Sequence, residues 1–479
     1  MPSNSFFKTQ LPNLFARLIQ LGVGFATTIV LATKLSPSDL GEYYLLSALG
    51  IIINFIPLYF LHFPIQRLLP TEASGRPSFL STHFFTAVLL FSICLGSNIL
   101  LTVLGGDGFD LLSLMTLVAA FAFSETITSQ MTNITSARRA AWPYAIGVFL
   151  RSATILLTIT ILDTAQMSAR SAIYALIAGN IATVFGASRA FLQDLTLRGL
   201  KLSWLRKSLH FTAPYSLSQI FQQALARGDR FIVAFFIGTE AAGLYALAAD
   251  LCRRIIQGLC ITARLSYVRD AIEAHTAQDV KRLQVTMDRM ATSVAALGLS
   301  TAVVIAIFGA DLLAGVAMTI DIAIVAKIFL VVPFAVTLEM FKLYVLQLPF
   351  ELAMRSWLDA RVTIVGAITL LISMTAFIPL FGIFGVALSI FVSQCIVALY
   401  AHWTAQKIIA ARLRTMAVFI TTTLTMIMCA GVHYYAGGAM HFDYMTTLLA
   451  ACLLGAASLA AIYLGFSHIT RVERTIAEK

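Results

Sequence analysis

The residues in this sequence that could carry out chemistry are charged side chains lying inside long apolar stretches. A charge at the centre of a bilayer costs about 2.5–3.5 kcal/mol on insertion scales, so such residues usually face a cavity or a partner. Eight of the twelve are cations, and arginine predominates, whose planar fork can bind two oxygens of one anion. The set therefore predicts anion binding, and we assign no catalytic residue. The twelve are Arg17, Glu125, Arg151, Arg227, Asp229, Arg230, Asp250, Arg253, Arg254, Lys327, Glu339 and Lys342.

Membrane-spanning helices must position these charges. The chain has 479 residues, of which 59% are hydrophobic and 12% charged, whereas typical soluble domains are about one quarter charged. A water-soluble protein cannot cover so much apolar surface, which excludes a soluble enzyme, a disordered scaffold and a nucleic-acid binder. The six cysteines lie in apolar runs without a CxxC pair, and the eight histidines lack metal-ligand spacing. We therefore predict neither a metal site nor a cofactor.

Breaks at glycine, proline and charge clusters divide the chain into spans. Because each span needs about 20 apolar residues, the chain has room for roughly fourteen helices. The predicted helices are 11–34, 41–66, 79–104, 110–136, 141–163, 170–191, 209–237, 241–267, 287–310, 320–347, 357–379, 382–407, 412–436 and 443–467.

The loops predict one consistent orientation. Arginine and lysine concentrate in the loops after even-numbered helices, whereas the loops after odd-numbered helices hold only Lys34 and Arg170. The positive-inside rule then places both termini in the cytoplasm. The outer loops are short, which argues against a membrane glycosyltransferase or polymerase with an extracytoplasmic catalytic domain.

An internal repeat connects the two halves of the sequence. The segment 35–43 (LSPSDLGEY) and the segment 237–245 (IGTEAAGLY) both place Gly-x-Tyr after a small polar turn, 202 residues apart. Six predicted helices separate the copies, so both have the same orientation. Parallel repeats of this kind build transporters with a binding site between two lobes.

These features resemble the polysaccharide-flippase branch of the multidrug/oligosaccharidyl-lipid/polysaccharide (MOP) exporter superfamily. The resemblance rests on Pro37, Asp39 and Gly41-x-Tyr43 in the first half and, in the second, on Pro214, Gln219, Asp229-Arg230, Gly238 and Gly243-x-Tyr245-x-Leu247. It implies an all-α polytopic membrane protein: an N-lobe at 1–200, a C-lobe at 201–410, and two additional helices with a cytoplasmic tail at 411–479.

The resemblance also implies that predicted helices 1, 2, 7 and 8 line a central cleft. Polar residues lie on one face of helix 1 and on one face of helix 7. On helix 8 they cluster within two turns of the centre of the helix. A cationic cleft suits the diphosphate headgroup of a lipid-linked sugar. We predict substrate contacts at Arg17, Gln20, Gln223, Arg227, Arg253, Arg254 and Gln257.

The remaining charges allow structural or functional interpretations. Asp250 precedes Arg254 by four residues, which would suit an intrahelical salt bridge. Asp229 could neutralise Arg230 locally. Glu125 and Arg151, on adjacent predicted helices, could form a buried ion pair that fixes packing or a proton or cation coupling site.

The resemblance implies a flippase that moves an undecaprenyl-diphosphate-linked oligosaccharide across a bacterial inner membrane for lipopolysaccharide or exopolysaccharide synthesis. Its expected partners are this substrate, membrane lipids, a polysaccharide polymerase and other export components. The alternatives are a peptidoglycan-precursor flippase, a proton- or sodium-coupled drug exporter, and a membrane glycosyltransferase or polymerase. The drug exporters favour an acid in the first helix, where this sequence has Arg17 instead.

Overall fold

The structure is a computed structural model. It describes residues 3–68, 76–104, 110–138, 140–162, 167–190, 195–196, 200–314, 322–353 and 355–408. These ranges are almost entirely helical and contain no strand. Predicted helices 13 and 14 lie outside them, so the count of fourteen and the position of the C-terminus stay predictions.

Fourteen α-helical segments account for the first twelve predicted spans. They are α1 Ser3–Lys34, α2 Pro37–Phe55, α3 Tyr59–Leu68, α4 Arg76–Leu104, α5 Asp110–Ala137, α6 Ala141–Ile161, α7 Ala169–Ala187, α8 Leu202–Phe236, α9 Thr239–Thr276, α10 Val280–Ala314, α11 Ile322–Phe341, α12 Leu348–Leu352, α13 Ser356–Phe381 and α14 Ile383–Gln406. A π-helical turn, Lys342–Leu346, links α11 to α12.

The helices identify a multi-pass membrane protein. Eight of the described helices are long and apolar enough to cross a bilayer, and α2 and α3 meet the same criteria only when they are taken together as a bent pair. The long helices α8 and α9 are not among the eight, and they carry the arginines and acids noted above. The all-α polytopic fold is therefore confirmed.

The second predicted helix, 41–66, is wrong as one continuous element. It is broken at Ile56–Leu58, where α2 and α3 meet at an angle of 60°. Pro57 cannot donate the backbone hydrogen bond that a helix requires there. The Leu58 N–H instead donates to the Ile53 carbonyl at 3.2 Å, one residue beyond the helical partner.

Four other boundaries differ by seven residues or more, because hydropathy marks the apolar stretch and not the end of the helix. α1 begins eight residues before the predicted start of the first helix. The seventh, eighth and ninth predicted helices correspond to α8, α9 and α10. α8 and α10 each begin seven residues before the predicted start, and α9 continues nine residues past the predicted end. Backbone hydrogen bonding continues through polar residues at these ends.

The two basic residues of the predicted outer loops both have specific partners. Lys34 Nζ donates to the carbonyl oxygens of Ile159, Thr160 and Leu162 at 2.6–3.0 Å, and so caps the C-terminus of α6. Arg170 Nη2 forms a salt bridge with Asp110 at 3.2 Å. Each exception to the predicted charge asymmetry therefore has a structural explanation.

The two copies of the Gly-x-Tyr repeat meet in the structure. A Cβ atom on Gly243 would lie 2.6 Å from the backbone N of Gly41, and a Cβ atom on Gly41 would lie 1.9 Å from the Thr239 carbonyl oxygen. Only glycine permits this backbone approach. Corresponding residues of the sequence repeat thus form one crossing between α2 and the first turn of α9.

The described chain forms two compact units, Met1–Gly243 and the residues from Leu244 onward. In the first, α5 packs against α2, α3, α4, α6 and α7, and α8 packs on α2, α3 and α4. In the second, α11 packs against α10 and α14, and α13 pairs with α14. The predicted lobes, defined by the repeat and not by contacts, stay predictions.

Candidate functional site

A group of charges on α9 has the strongest features of a ligand site. We call it the α9 charge cluster: Asp250, Arg253, Arg254 and Gln257 on α9, with Glu339 on α11. It follows a fully buried stretch of α9, residues 242–249, and all five side chains are half-buried. The cluster holds two arginines and two carboxylates on α9 and α11. Which arginine forms ion pairs with the carboxylates decides which one can bind a ligand.

Arg253 is held by both carboxylates. Its Nη2 and Nε atoms donate to Glu339 Oε2 at 3.1 Å and 3.4 Å, and its Nη1 lies 3.9 Å from Asp250 Oδ1. The Arg253 and Glu339 side chains are 24% and 23% exposed. Both hydrogen bonds from Arg253 to Glu339 end on one oxygen, which is a weaker arrangement than the two-oxygen pairing an arginine fork can make.

Arg254 differs from its neighbour. The sequence suggested a salt bridge between Asp250 and Arg254, but the structure pairs Asp250 with Arg253, three residues away, and the same Arg253 guanidinium also binds Glu339. Among the residues that the structure describes, neither Arg254 nor Gln257 makes a side-chain hydrogen bond or ion pair. Their polar groups are therefore available to a ligand.

The other predicted substrate contacts lie in the first unit. Gln223 and Arg227 are half-buried on α8, and Gln20 is exposed on α1. Arg17 lies on α1, and its side chain is not among those described. Their roles stay predictions.

Asp229 and Arg230 are buried on α8, with Arg230 only 2% exposed. The Asp229 carboxylate accepts a hydrogen bond from the Arg230 backbone N–H at 2.8 Å. The Arg230 guanidinium lies over the Tyr44 ring, 5.1 Å from its centroid. This cation–π contact and the burial favour a packing role for Arg230.

Glu125 and Arg151 form an ion pair between α5 and α6. Glu125 Oε1 also accepts from Asn180 Nδ2 on α7 at 3.2 Å, and the same nitrogen lies 2.9 Å from Ser124 Oγ. One carboxylate thus joins three helices of the first unit. This geometry suits a packing role, and coupling stays a prediction.

Sequence reasoning placed Glu339 inside the membrane but did not include it in the site. It lies 86 residues from Arg253, and no helical periodicity connects them. The one available signal was the presence of another buried acid in a sequence with excess cations. Glu339 also stands three residues before the π-helical turn, a distortion that is frequent at functional sites.

A second arginine of α9 binds the π-helical turn and the helix that follows it. Arg264 Nη2 lies 2.9 Å from Glu351 Oε2, and its Nη1 donates to the Leu343 carbonyl at 3.1 Å. Arg253 thus attaches α9 to α11 before the π-helical turn, and Arg264 attaches α9 to the turn itself and to α12.

Comparison with solved structures places this architecture among known folds. The chain is similar to a lipid II flippase, MurJ, in an inward closed conformation, with a TM-score of 0.69 and 12% identity over 96% of this chain and 99% of that one. It is similar to an inward-facing multidrug resistance MATE family transporter of the MOP superfamily, with a TM-score of 0.57 and 15% identity over 85% and 99% of the two chains.

A MOP superfamily transporter from Pyrococcus furiosus is also similar, with a TM-score of 0.54 and 15% identity over 84% of this chain and 94% of that one. No protein-family model and no curated protein matches the sequence. At these identities the likeness shows the fold alone, which the chain shares with these three structures.

Proposed function

We propose that this protein is a flippase that moves an undecaprenyl-diphosphate-linked oligosaccharide from the cytoplasmic to the periplasmic leaflet of a bacterial inner membrane. The observation that carries the proposal is the α9 charge cluster, where Arg254 and Gln257 are half-buried without a partner among the described side chains. An arginine in this state can bind phosphate oxygens, and neutral amides suit sugar hydroxyls. Transport moves the lipid without breaking a covalent bond, so the site needs no catalytic group.

The proposed mechanism is alternating access between two lobes. The sugar-diphosphate headgroup enters a polar cavity from the cytoplasm, while the polyprenyl chain stays in lipid. The headgroup stays bound while the cavity closes towards the cytoplasm and opens towards the periplasm. In this proposal it is held by Arg17, Arg227, Arg253 and Arg254.

A peptidoglycan-precursor flippase is the second candidate. It is favoured by the similarity to the lipid II flippase, which covers more of this chain at a higher TM-score than the MATE structures. Both candidate substrates place a diphosphate on a polyprenyl chain, so the α9 charge cluster serves either. A drug exporter is disfavoured because residues 1–34 contain no aspartate or glutamate.

Gene deletion separates these functions. Loss of surface polysaccharide with intracellular accumulation of its lipid-linked repeat units supports the proposed function. Accumulation of lipid-linked peptidoglycan precursor with lysis supports the second candidate. Drug hypersensitivity with normal polysaccharide contradicts both.

Complementation of the deletion then tests the site. Arg254→Ala, which breaks no ion pair among the described residues, should fail to restore export although it inserts normally. Arg253→Ala should also fail. Lys201→Ala, whose side chain is exposed at the start of α8, should restore export fully. Normal export by both arginine variants at native expression would overturn the site.

A further inference from the structure

We propose that Glu339 is an internal competitor for the anionic substrate: its carboxylate occupies the phosphate-binding edge of Arg253 in the unloaded protein, and the substrate diphosphate displaces it. This inference rests on the proposed function and deepens it, because it assigns a release mechanism to the same site.

The geometry of the Arg253–Glu339 pair supports exchange. The Nε and Nη2 atoms that reach Glu339 form the edge with which a guanidinium binds phosphate side-on. Glu339 fills that edge with one oxygen and one negative charge. A diphosphate offers several oxygens and more charge, so it can bind the same edge through two oxygens and replace the carboxylate.

The surroundings hold Arg253 in place when Glu339 leaves. Asp250 Oδ1 lies 3.9 Å from Nη1, at the opposite edge of the guanidinium. This distance exceeds a hydrogen bond but retains attraction between the charges. Asp250 therefore keeps Arg253 oriented without covering the edge that the phosphate needs.

The backbone near Glu339 suits movement. Glu339 lies just before the π-helical turn Lys342–Leu346, where the regular hydrogen-bond pattern of α11 is interrupted. Arg264 attaches the turn itself and the helix after it to α9, through Leu343 and Glu351. A displacement of Glu339 can thus stay local to its own side of the turn.

An internal competitor has a function in transport. A cation left without a counterion inside a membrane is costly, and Glu339 supplies that counterion when no substrate is bound. When the site opens to the periplasm, the Glu339 carboxylate binds Arg253 again and helps to release the transported lipid. The competitor should therefore weaken binding but speed release.

The first experiment measures binding of farnesyl diphosphate, a short polyprenyl diphosphate, to the purified full chain in nanodiscs. Glu339→Gln keeps the side-chain shape but cannot form the ion pair, so we expect its affinity to rise about tenfold above wild type, as one charged competitor is removed. The increase should vanish in the Arg253→Gln background. Glu351→Gln, which breaks the matched Arg264 pair, should bind like wild type.

Equal or weaker binding by Glu339→Gln, or an increase that persists without Arg253, would overturn the inference. If wild type binds the probe and Glu339→Gln is unchanged, the inference fails and the proposed function stands. If neither binds, both fail. In proteoliposomes, Glu339→Gln should move lipid-linked oligosaccharide more slowly than wild type despite its tighter binding.

A second measurement uses the wild-type protein and does not depend on a variant that folds. Dicyclohexylcarbodiimide is a lipid-soluble reagent that modifies carboxyl groups, and mass spectrometry locates its adducts. Farnesyl diphosphate should increase modification at Glu339 and leave Glu351 unchanged. Unchanged or reduced modification of Glu339 by saturating probe would contradict displacement.

Discussion

The Arg151–Glu125 pair of the first compact unit and the Arg253–Glu339 pair of the second differ in how their charges and the neighbouring polar groups are used. In the first unit, Glu125 binds Arg151 and also accepts from Asn180. In the second, Arg253 is shared by Glu339 and Asp250, while the adjacent Arg254 has no side-chain partner among the described residues.

The difference separates packing from binding. In the first network, Glu125 and Arg151 neutralise each other and link neighbouring helices, which adds rigidity. The amide oxygen of Asn180 is the one buried side-chain atom of this network, among the described residues, without a hydrogen-bond partner. A cluster with an unused cation pays a cost in stability that a bound anion can offset. The first pair should therefore matter for stability and the second cluster for transport, and the predictions below test that division.

The largest expected effect is on the stability of the first unit. Arg151→Ala leaves the Glu125 charge without its counterion, which should destabilise the protein by about 3–5 kcal/mol. Thermal unfolding of the purified protein measures this loss. The double replacement Glu125→Leu with Arg151→Met removes both charges and should recover most of it. A double variant that is fully stable but inactive would instead assign the pair to ion coupling.

The next effect is on transport and not on stability. Arg254→Ala removes a cation that binds no described side chain, so the unfolding temperature should equal or exceed that of wild type. Transport should fall at least tenfold, because a charge-assisted hydrogen bond to phosphate contributes roughly 1.5–3 kcal/mol. Flux of lipid-linked oligosaccharide in proteoliposomes measures it. Arg254→Lys keeps the charge but loses the fork, and should retain intermediate activity.

The sequence alone could predict the all-α membrane fold and the approximate positions of most described helices, because apolar stretches and helical length are local properties. The contact between Gly41 and Gly243 follows a repeat that was visible in the sequence. The bend at Pro57 is a local effect of proline, but the hydrogen bond that sets its position involves Leu58 and Ile53 and needs coordinates.

The partners of the charged residues could not be predicted equally well. Glu125 and Arg151 lie on consecutive helices, 26 residues apart, so adjacency suggested them. Arg253 and Glu339 are separated by an intervening helix, and their pairing depends on tertiary packing. The choice of Arg253 over Arg254 as partner of Asp250 depends on side-chain directions that helical spacing does not determine, since both i,i+3 and i,i+4 pairs are sterically possible.

A smaller effect should follow from the hydrogen bond that completes the first network. Asn180→Ala removes the amide that binds both Glu125 and Ser124, and should cost about 1–2 kcal/mol of stability. Flux per folded molecule should remain at the wild-type value, which separates this variant from Arg254→Ala. A loss of flux without a loss of stability would indicate that Asn180 takes part in transport, and the division between the two regions would no longer hold.

The smallest effect is expected for Arg264→Gln. This arginine forms an ion pair of the same chemical type as Arg253, but its partner Glu351 is 46% exposed, so water screens the pair. Exposed pairs contribute about 0–1 kcal/mol, and the unfolding temperature should change little. Flux should also be preserved, because Glu351 lies beyond the π-helical turn from the α9 charge cluster. If Arg264→Gln reduced flux as strongly as Arg254→Ala, the availability of one unpaired cation would not be the property that determines transport.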